Sequence, residues 1–416
     1  MGNIQNQSIA EKYFERFGFR DQFVQEKPTA GLGIIVVIPS YNEDQLAQSL
    51  ESLSQCTPPK CGVELIVVIN NSENASPEIK EKHRQTVHDL KKLNLNFPLH
   101  LILEDHLPQK HAGVGLARKI GMDEAARRFS EIQKNGVIAC FDADAVCEKN
   151  YLEILESDLL HADENGCAIY FEHPLEGNEY EAKCYEGIVK YELFLRYYNL
   201  AQKYAELPFA YHTVGSSMAV KAIPYMLQGG MNRRKAGEDF YFLQKIIQTG
   251  AFKELNQTKV IPSPRTSDRV PFGTGRAISQ WMDEQTNLDF TYDFRVFTLV
   301  KKMLSNLPKW YKEDFVLSDL PQELLPFFQA DLVEEKIKEI KSNTKSMEAF
   351  QNRFFVYFDA FKMLKLVHWF RDEVLPNQHL LDMVNQLNEK YIGLPKFTSE
   401  KEALIQLRKI EREALI

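Results

Sequence analysis

Four short segments of this chain carry side chains that can do chemistry. Asp142 and Asp144 stand one residue apart and close the apolar run Ile138-Ala139-Cys140-Phe141. Glu238 and Asp239 are adjacent and open a stretch with helical spacing. Glu43 ends the segment Val36-Val37-Ile38-Pro39-Ser40-Tyr41-Asn42-Glu43, and Val67-Val68-Ile69-Asn70-Asn71-Ser72 ends in side-chain amides. Two aspartates flanking Ala143 at a strand end can present oxygen ligands without colliding. A hard cation held there can neutralise a diphosphate. Acids in the first turn of a helix gain ~0.3–1 kcal/mol from the macrodipole, and a positioned acid can also act as a general base. Each pair alone is better explained by the preference of acidic residues for turns and helix starts. The combination is what points to chemistry.

The elements that must position these residues follow from periodicity. Ile34 to Ile38, Leu65 to Ile69, Leu101 to Leu103 and Val137 to Phe141 are short apolar runs. Helical spacing separates them at roughly 45–54 and 115–129 and follows at 151–161. Alternation of this kind means βαβ units and a mainly parallel sheet flanked by helices. Ligands of such sheets sit at the carboxyl ends of the strands. That rule predicts one rim carrying Pro39 to Glu43, Asn70-Asn71 and Asp142 to Asp144. Residues 179–207 read as one long helix or two, 218–220 as a strand, and 238–249 as a helix. A loop rich in Pro, Gly and Arg spans 262–275. From about 277 the chain is expected to be helical to its end, broken near Pro308, Pro321, Pro326, Pro376 and Pro395. The expected domains are 1–30 (a helix and linker), 31–285 (catalytic) and 286–416 (helical).

In this order and at these separations, the segments resemble the family-2 glycosyltransferases of the GT-A fold. That family shows a V-I-P-x-Y-N-E strand end, a V-D-x-S strand end, an A-R-N helix, a D-x-D strand end and an E-D helix start. The resemblance spans about residues 33–250. It implies a Rossmann-like GT-A sheet and transfer of one sugar from a nucleotide diphosphate-sugar to a hydroxyl, with inversion. It implies Asp144 as ligand of Mg²⁺ or Mn²⁺, and Asp142 near the ribose or in the metal's shell. Asp239, beside Glu238, is then the base that deprotonates the acceptor. Pro39, Tyr41, Glu43, Asn70 and Ala143 would line the donor site. Where the family has Asp, Asn70 can still accept a hydrogen bond from a base, but without charge assistance. A UDP-sugar is the leading donor. In Lys110-His111-Ala112-Gly113-Val114-Gly115-Leu116-Ala117-Arg118-Lys119, which is similar to the A-R-N helix, Lys119 replaces Asn. Arg118 or Lys110 is expected to reach the base or diphosphate, unless Arg118 lies on a solvated helix face. Gly229-Gly230 and Gly215-Ser216-Ser217 fit loops on the acceptor side.

Composition bounds the alternatives. The 416 residues are 44% hydrophobic and 26% charged, with a formal charge of −8. That balance argues against general nucleic-acid binding. Six cysteines without a CxxC pair fit a reducing cytoplasm. The N-terminus lacks the features of a signal peptide, and no apolar run approaches the ~20 residues of a membrane helix. A cytoplasmic protein is expected, at most peripheral at the inner face of the membrane. Its acceptor would be a sugar, a glycan or a lipid-linked molecule in glycan or polysaccharide biosynthesis. Arginines of the 263–276 loop suit phosphates, and the loop is a candidate for closing over donor. Gln280-Trp281 matches the Q-x-x-R-W element of processive synthases only in part, so a non-processive enzyme is expected. The aromatic stretch from Phe354 to Phe370 reads as core packing, with a homodimer or lipid-facing surface as the alternative. A sugar-1-phosphate nucleotidyltransferase would need a Gly-rich basic loop after the first strand, where this chain has Pro39 to Glu43. A non-catalytic nucleotide-sugar-binding protein would have no use for both acidic pairs.

Overall fold

The computed structural model describes residues 2–269 and 273–415, with side chains from residue 7 onward. Val270, Pro271 and Phe272 of the basic loop therefore lie outside the described residues. The chain forms two compact units. The first is Met1–Ile188, Thr213–Met282 and Ile410–Leu415, and the second is Val189–His212 and Asp283–Lys409.

The chain order begins α1 (Gly2–Phe17), β1 (Leu32–Ser40), α2 (Leu46–Ser54), β2 (Gly62–Ser72), α3 (Pro77–Leu90), β3 (Leu99–Leu107) and α4 (Val114–Glu131). There follow β4 (Val137–Cys140), β5 (Val146–Cys147), α5 (Tyr151–Leu155), β6 (Gly166–Phe171), α6 (Ala182–Tyr204) and β7 (Met218–Lys221). Then come α7 (Ala222–Leu227), α8 (Glu238–Ile247), β8 (Phe252–Ile261) and α9 (Thr274–Met282). The eight strands make one sheet in the order β3-β2-β1-β4-β7-β6-β8-β5. β1 pairs in parallel with β2 and β4, β2 with β3, and β6 with β8. β7 runs antiparallel to β4 and β6, and β5 to β8. The expected mainly parallel sheet is present.

Burial on both faces explains the continuous apolar strands. All nine residues of β1 are buried. On one face Ile34, Val36 and Ile38 join Leu46, Leu50 and Leu53 of α2 and Leu152 and Leu155 of α5 in a single core. On the other lies α4, made possible by Gly121. A Cβ there would stand 2.4 Å from Val37 Cγ1. α4 is buried nearly all round, and its polar residues are paired accordingly. Arg128 Nη2 donates to Glu64 Oε1 at 2.7 Å, and Asp123 Oδ1 accepts from the hydroxyls of Tyr13 and Tyr225, each at 2.6 Å.

The second unit is helical apart from one short ladder, β9 (Phe290–Thr291) with β10 (Gln378–His379). Its helices are α6 from Val189 onward, α10 (Phe294–Leu304), α11 (Leu307–Lys312), α12 (Leu325–Ala330), α13 (Val333–Ser342), α14 (Met347–Tyr357), α15 (Ala360–Glu373), α16 (Leu380–Leu387) and α17 (Glu400–Arg412) as far as Lys409. Pro308 and Pro326 sit in the first turns of α11 and α12, where a missing N–H costs nothing. Phe354, Phe358 and Phe370 of the aromatic stretch are core. Phe354 packs on Trp310 at 5.9 Å and Phe358 on Phe328 at 5.8 Å between ring centroids. Among the described residues, no helix is long and apolar enough to cross a membrane.

Candidate active site

Parallel pairing puts the carboxyl ends of β1, β2 and β4 on one edge of the sheet, in the first unit. β1 ends at Pro39 and Ser40, and Asn42 turns the chain at φ 48°. The backbone N–H of Asn42 donates to His83 Nε2 of α3 at 2.8 Å, and Tyr41 meets the His83 ring edge-on at 5.4 Å. Burial pushes the His83 imidazole down, which favours the neutral form that can accept that bond. Asn70 is buried at the end of β2, and the side-chain amide of its neighbour Asn71 donates to Asp105 Oδ1 at 2.7 Å. Asp142 and Asp144 follow β4. Ala143 between them is buried in the core, which turns the two carboxylates outward.

The start of α8 comes to the same region. Gly237 adopts φ 66°, a left-handed conformation that favours glycine. It turns the chain so that Glu238 and Asp239 open the helix. The turn rests directly on α4, because a Cβ at Gly115 would lie 2.2 Å from the Arg234 carbonyl oxygen.

Arg118 joins the two acidic pairs. It lies on α4 with only 3% of its side chain exposed, and its two terminal nitrogens grip Asp142 Oδ1 and Glu238 Oε1. Gly215 makes room for the guanidinium, since a Cβ there would stand 2.5 Å from both nitrogens. Arg118 is thus a buried bridge and not a solvated helix position. Lys110 stands exposed in the turn before α4, and Lys119 is committed to Asp123 at 3.0 Å.

One guanidinium now faces three carboxylates, and burial sets the balance. Desolvation raises Glu238 to about 7, against the pull of Arg118 and with a push from Asp239. Desolvation likewise raises Asp239, again opposed by Arg118. Asp144 is raised to about 6 by burial, opposed by Arg265 and reinforced by Asp142 and Glu43.

The basic loop supplies a second bridge whose targets the sequence did not disclose. Arg265 Nε donates to Asp144 Oδ2 at 2.6 Å, and its Nη2 donates to Glu43 Oε2 at 2.8 Å. Arg269 adds a bond to the same Glu43 oxygen at 2.9 Å and one to the Asn42 carbonyl at 3.0 Å. The seat of Arg118 at Gly215, the His83 contact and the Asn71–Asp105 pair were also missed. They depend on residues from 34 to 97 positions apart, and no spacing rule reports them.

The donor set suits a hard divalent cation. Asp142 and Asp144 offer carboxylate oxygens, and such cations commonly take one or two carboxylates with the rest from substrate phosphates and water. Among the described residues, no group of three or more His, Cys, Asp or Glu converges in the way a self-sufficient metal cage would.

Residues 35–216 match the model of the family described as Glycosyl transferase family 2. The chain carries a family-2 glycosyltransferase domain. No protein of curated function matches it. Solved structures similar to this glycosyltransferase include S. aureus TarS 1–349 in complex with UDP-GlcNAc, at 13% identity and TM-score 0.42, covering 74% of this chain and 90% of that one. Another is the mannosyltransferase PcManGT from Pyrobaculum calidifontis in complex with GDP-Man and Mn²⁺, at 13% identity and TM-score 0.35, covering 99% and 94%. A third is glucosyl-3-phosphoglycerate synthase from Mycobacterium tuberculosis with Mg²⁺ and UDP, at 16% identity and TM-score 0.34, covering 54% and 69%.

Proposed function

We propose that this glycosyltransferase moves one sugar from a nucleoside diphosphate-sugar to a hydroxyl acceptor by a single inverting displacement. The observation that carries the reading is the Arg118 bridge between Asp142 and Glu238. It ties a carboxylate pair suited to a metal–diphosphate complex to a pair suited to proton abstraction.

In this reading Asp144 ligates Mg²⁺ or Mn²⁺, and Asp142 serves the ribose or the metal's shell. A bound cation there supplies Lewis-acid stabilisation of the departing diphosphate. Asn70 accepts from the base of a uridine donor, beside Tyr41. Asp239 takes the proton of the acceptor hydroxyl, and burial raises its carboxyl in the direction that makes a stronger base. Glu238 is held by Arg118 and fixes the start of α8, so that Asp239 keeps its aim. The acceptor is a sugar, glycan or lipid-linked hydroxyl.

The test is a thermal-shift panel of nucleoside diphosphates and their sugars, with and without Mn²⁺. Ligand at 100 times its Kd should stabilise the fold by about 2.7 kcal/mol. The expected result is a metal-dependent shift that is largest with uridine compounds. If no nucleoside diphosphate moves the melting point with Mn²⁺ present, the donor-site reading is wrong.

A further inference from the structure

We propose that Arg265, bridging Glu43 and Asp144, occupies the metal ligand Asp144 in the donor-free protein, so that a divalent metal enters only together with a nucleoside diphosphate. The inference rests on the donor-site reading above and adds an order of binding to it.

Glu43 and Asp144 come from the ends of β1 and β4, which are neighbours in the sheet. Their side chains are 5% and 16% exposed. Between them lies one guanidinium, with Nε 2.6 Å from Asp144 Oδ2 and Nη2 2.8 Å from Glu43 Oε2. A positive charge shared by two recessed carboxylates is the electrostatic equivalent of a bound cation. A metal arriving alone finds one oxygen of Asp144 already engaged and a like charge beside it. Its own dehydration adds to that cost.

A diphosphate removes the obstacle. Its oxygens offer Arg265 and Arg269 the bidentate acceptor geometry that guanidinium groups favour. Both arginines can then leave the carboxylates without losing a partner, and Asp144 is freed for the metal. The backbone around Arg265 is tied down on both sides. Ser263 Oγ bonds the Tyr180 hydroxyl at 2.8 Å, the Cys184 thiol donates to the Pro264 carbonyl at 2.8 Å, and the Ser267 N–H donates to the Gly275 carbonyl at 2.9 Å. For Arg265 the exchange is therefore a side-chain rotation on an anchored stretch of chain.

The experiment titrates Mn²⁺ into wild-type, Arg265→Met and Arg265→Lys protein, following free Mn²⁺ by electron paramagnetic resonance. Each titration is run without nucleotide and with saturating UDP, and circular dichroism checks the fold of each variant. For Mn²⁺ alone, Arg265→Met should bind at least about tenfold tighter than wild type, a change of about 1.4 kcal/mol. Arg265→Lys keeps the charge and should stay near wild type. The gain in Mn²⁺ affinity from UDP should be at least about tenfold smaller in Arg265→Met than in wild type. Equal nucleotide-free affinities in wild type and Arg265→Met overturn the inference and leave the donor site standing. If Mn²⁺ binds none of the proteins with UDP or any other nucleoside diphosphate, both fall together.

Discussion

At the scale of single residues, the four carboxylates divide by what surrounds them. Asp144 meets Arg265 and Glu43's neighbourhood at the strand ends, whereas Asp239 sits at the α8 start beside Glu238. Asp239→Asn should keep Mn²⁺-dependent nucleotide binding and lower kcat by about 10²–10⁴-fold. Asp144→Asn should instead weaken that binding, measured by the same thermal shift. The reverse pattern would exchange their roles. Glu238 gives a pH signature. Its carboxyl is raised from 4.5 to about 7 by burial, so the folded chain holds the proton more tightly than the unfolded one. Its contribution favours folding below about 4.5 and is lost as the pH rises through about 7. The melting temperature of donor-free wild type minus that of Glu238→Gln should therefore fall between pH 4.5 and 7. A flat or rising difference would rule out a raised carboxyl. These carboxylates were visible in the sequence because strand ends and helix starts are local patterns. The arginines that tune them were not assignable, since Arg118 and Glu238 lie 120 positions apart.

Among the elements, the buried parallel strands were the most legible. β1, β2 and β4 are apolar on both faces because helices cover both, and an unbroken apolar run is what the eye finds. β8 was missed because it alternates with polar residues, Phe252-Lys253-Glu254-Leu255-Asn256-Gln257-Thr258-Lys259-Val260-Ile261, and only part of it is buried. α3 escaped for a similar reason. It buries only His83 and Leu90, so its apolar face is too thin to show a period. α4 presents the opposite difficulty. Its buried charges look like a solvated helix until their partners are known. The contact at Gly121 makes a prediction for this element. Gly121→Ala would force its Cβ against Val37 Cγ1 and should cost about 1–3 kcal/mol, read as a lower urea midpoint. An unchanged midpoint would mean that α4 shifts freely on the sheet.

For the whole molecule, composition and the proline breaks foretold a helical C-terminal region. They gave no account of its interior. There Glu192 of α6 is fully buried, and its carboxylate accepts from Arg196 Nε at 2.9 Å and from Arg408 of α17 at 2.7 and 2.6 Å. Glu192→Ala would remove the buried carboxylate that both arginines share. It should destabilise the second unit by about 3–5 kcal/mol, with new proteolytic cuts within 283–409. An unaltered melting curve and cleavage pattern would show that water replaces the carboxylate at little cost.

The Arg118 bridge has a consequence for how such a protein can change over generations. If, as proposed, position 142 serves the donor and position 238 the acceptor side, one guanidinium answers to both, in a seat that a Cβ at residue 215 would crowd. Drift at any of these four positions is therefore felt by the other three. Substitutions there should appear in natural relatives as correlated sets. A lineage acquiring a new acceptor is freer to rework the surface around α8 than the residue that anchors its first turn.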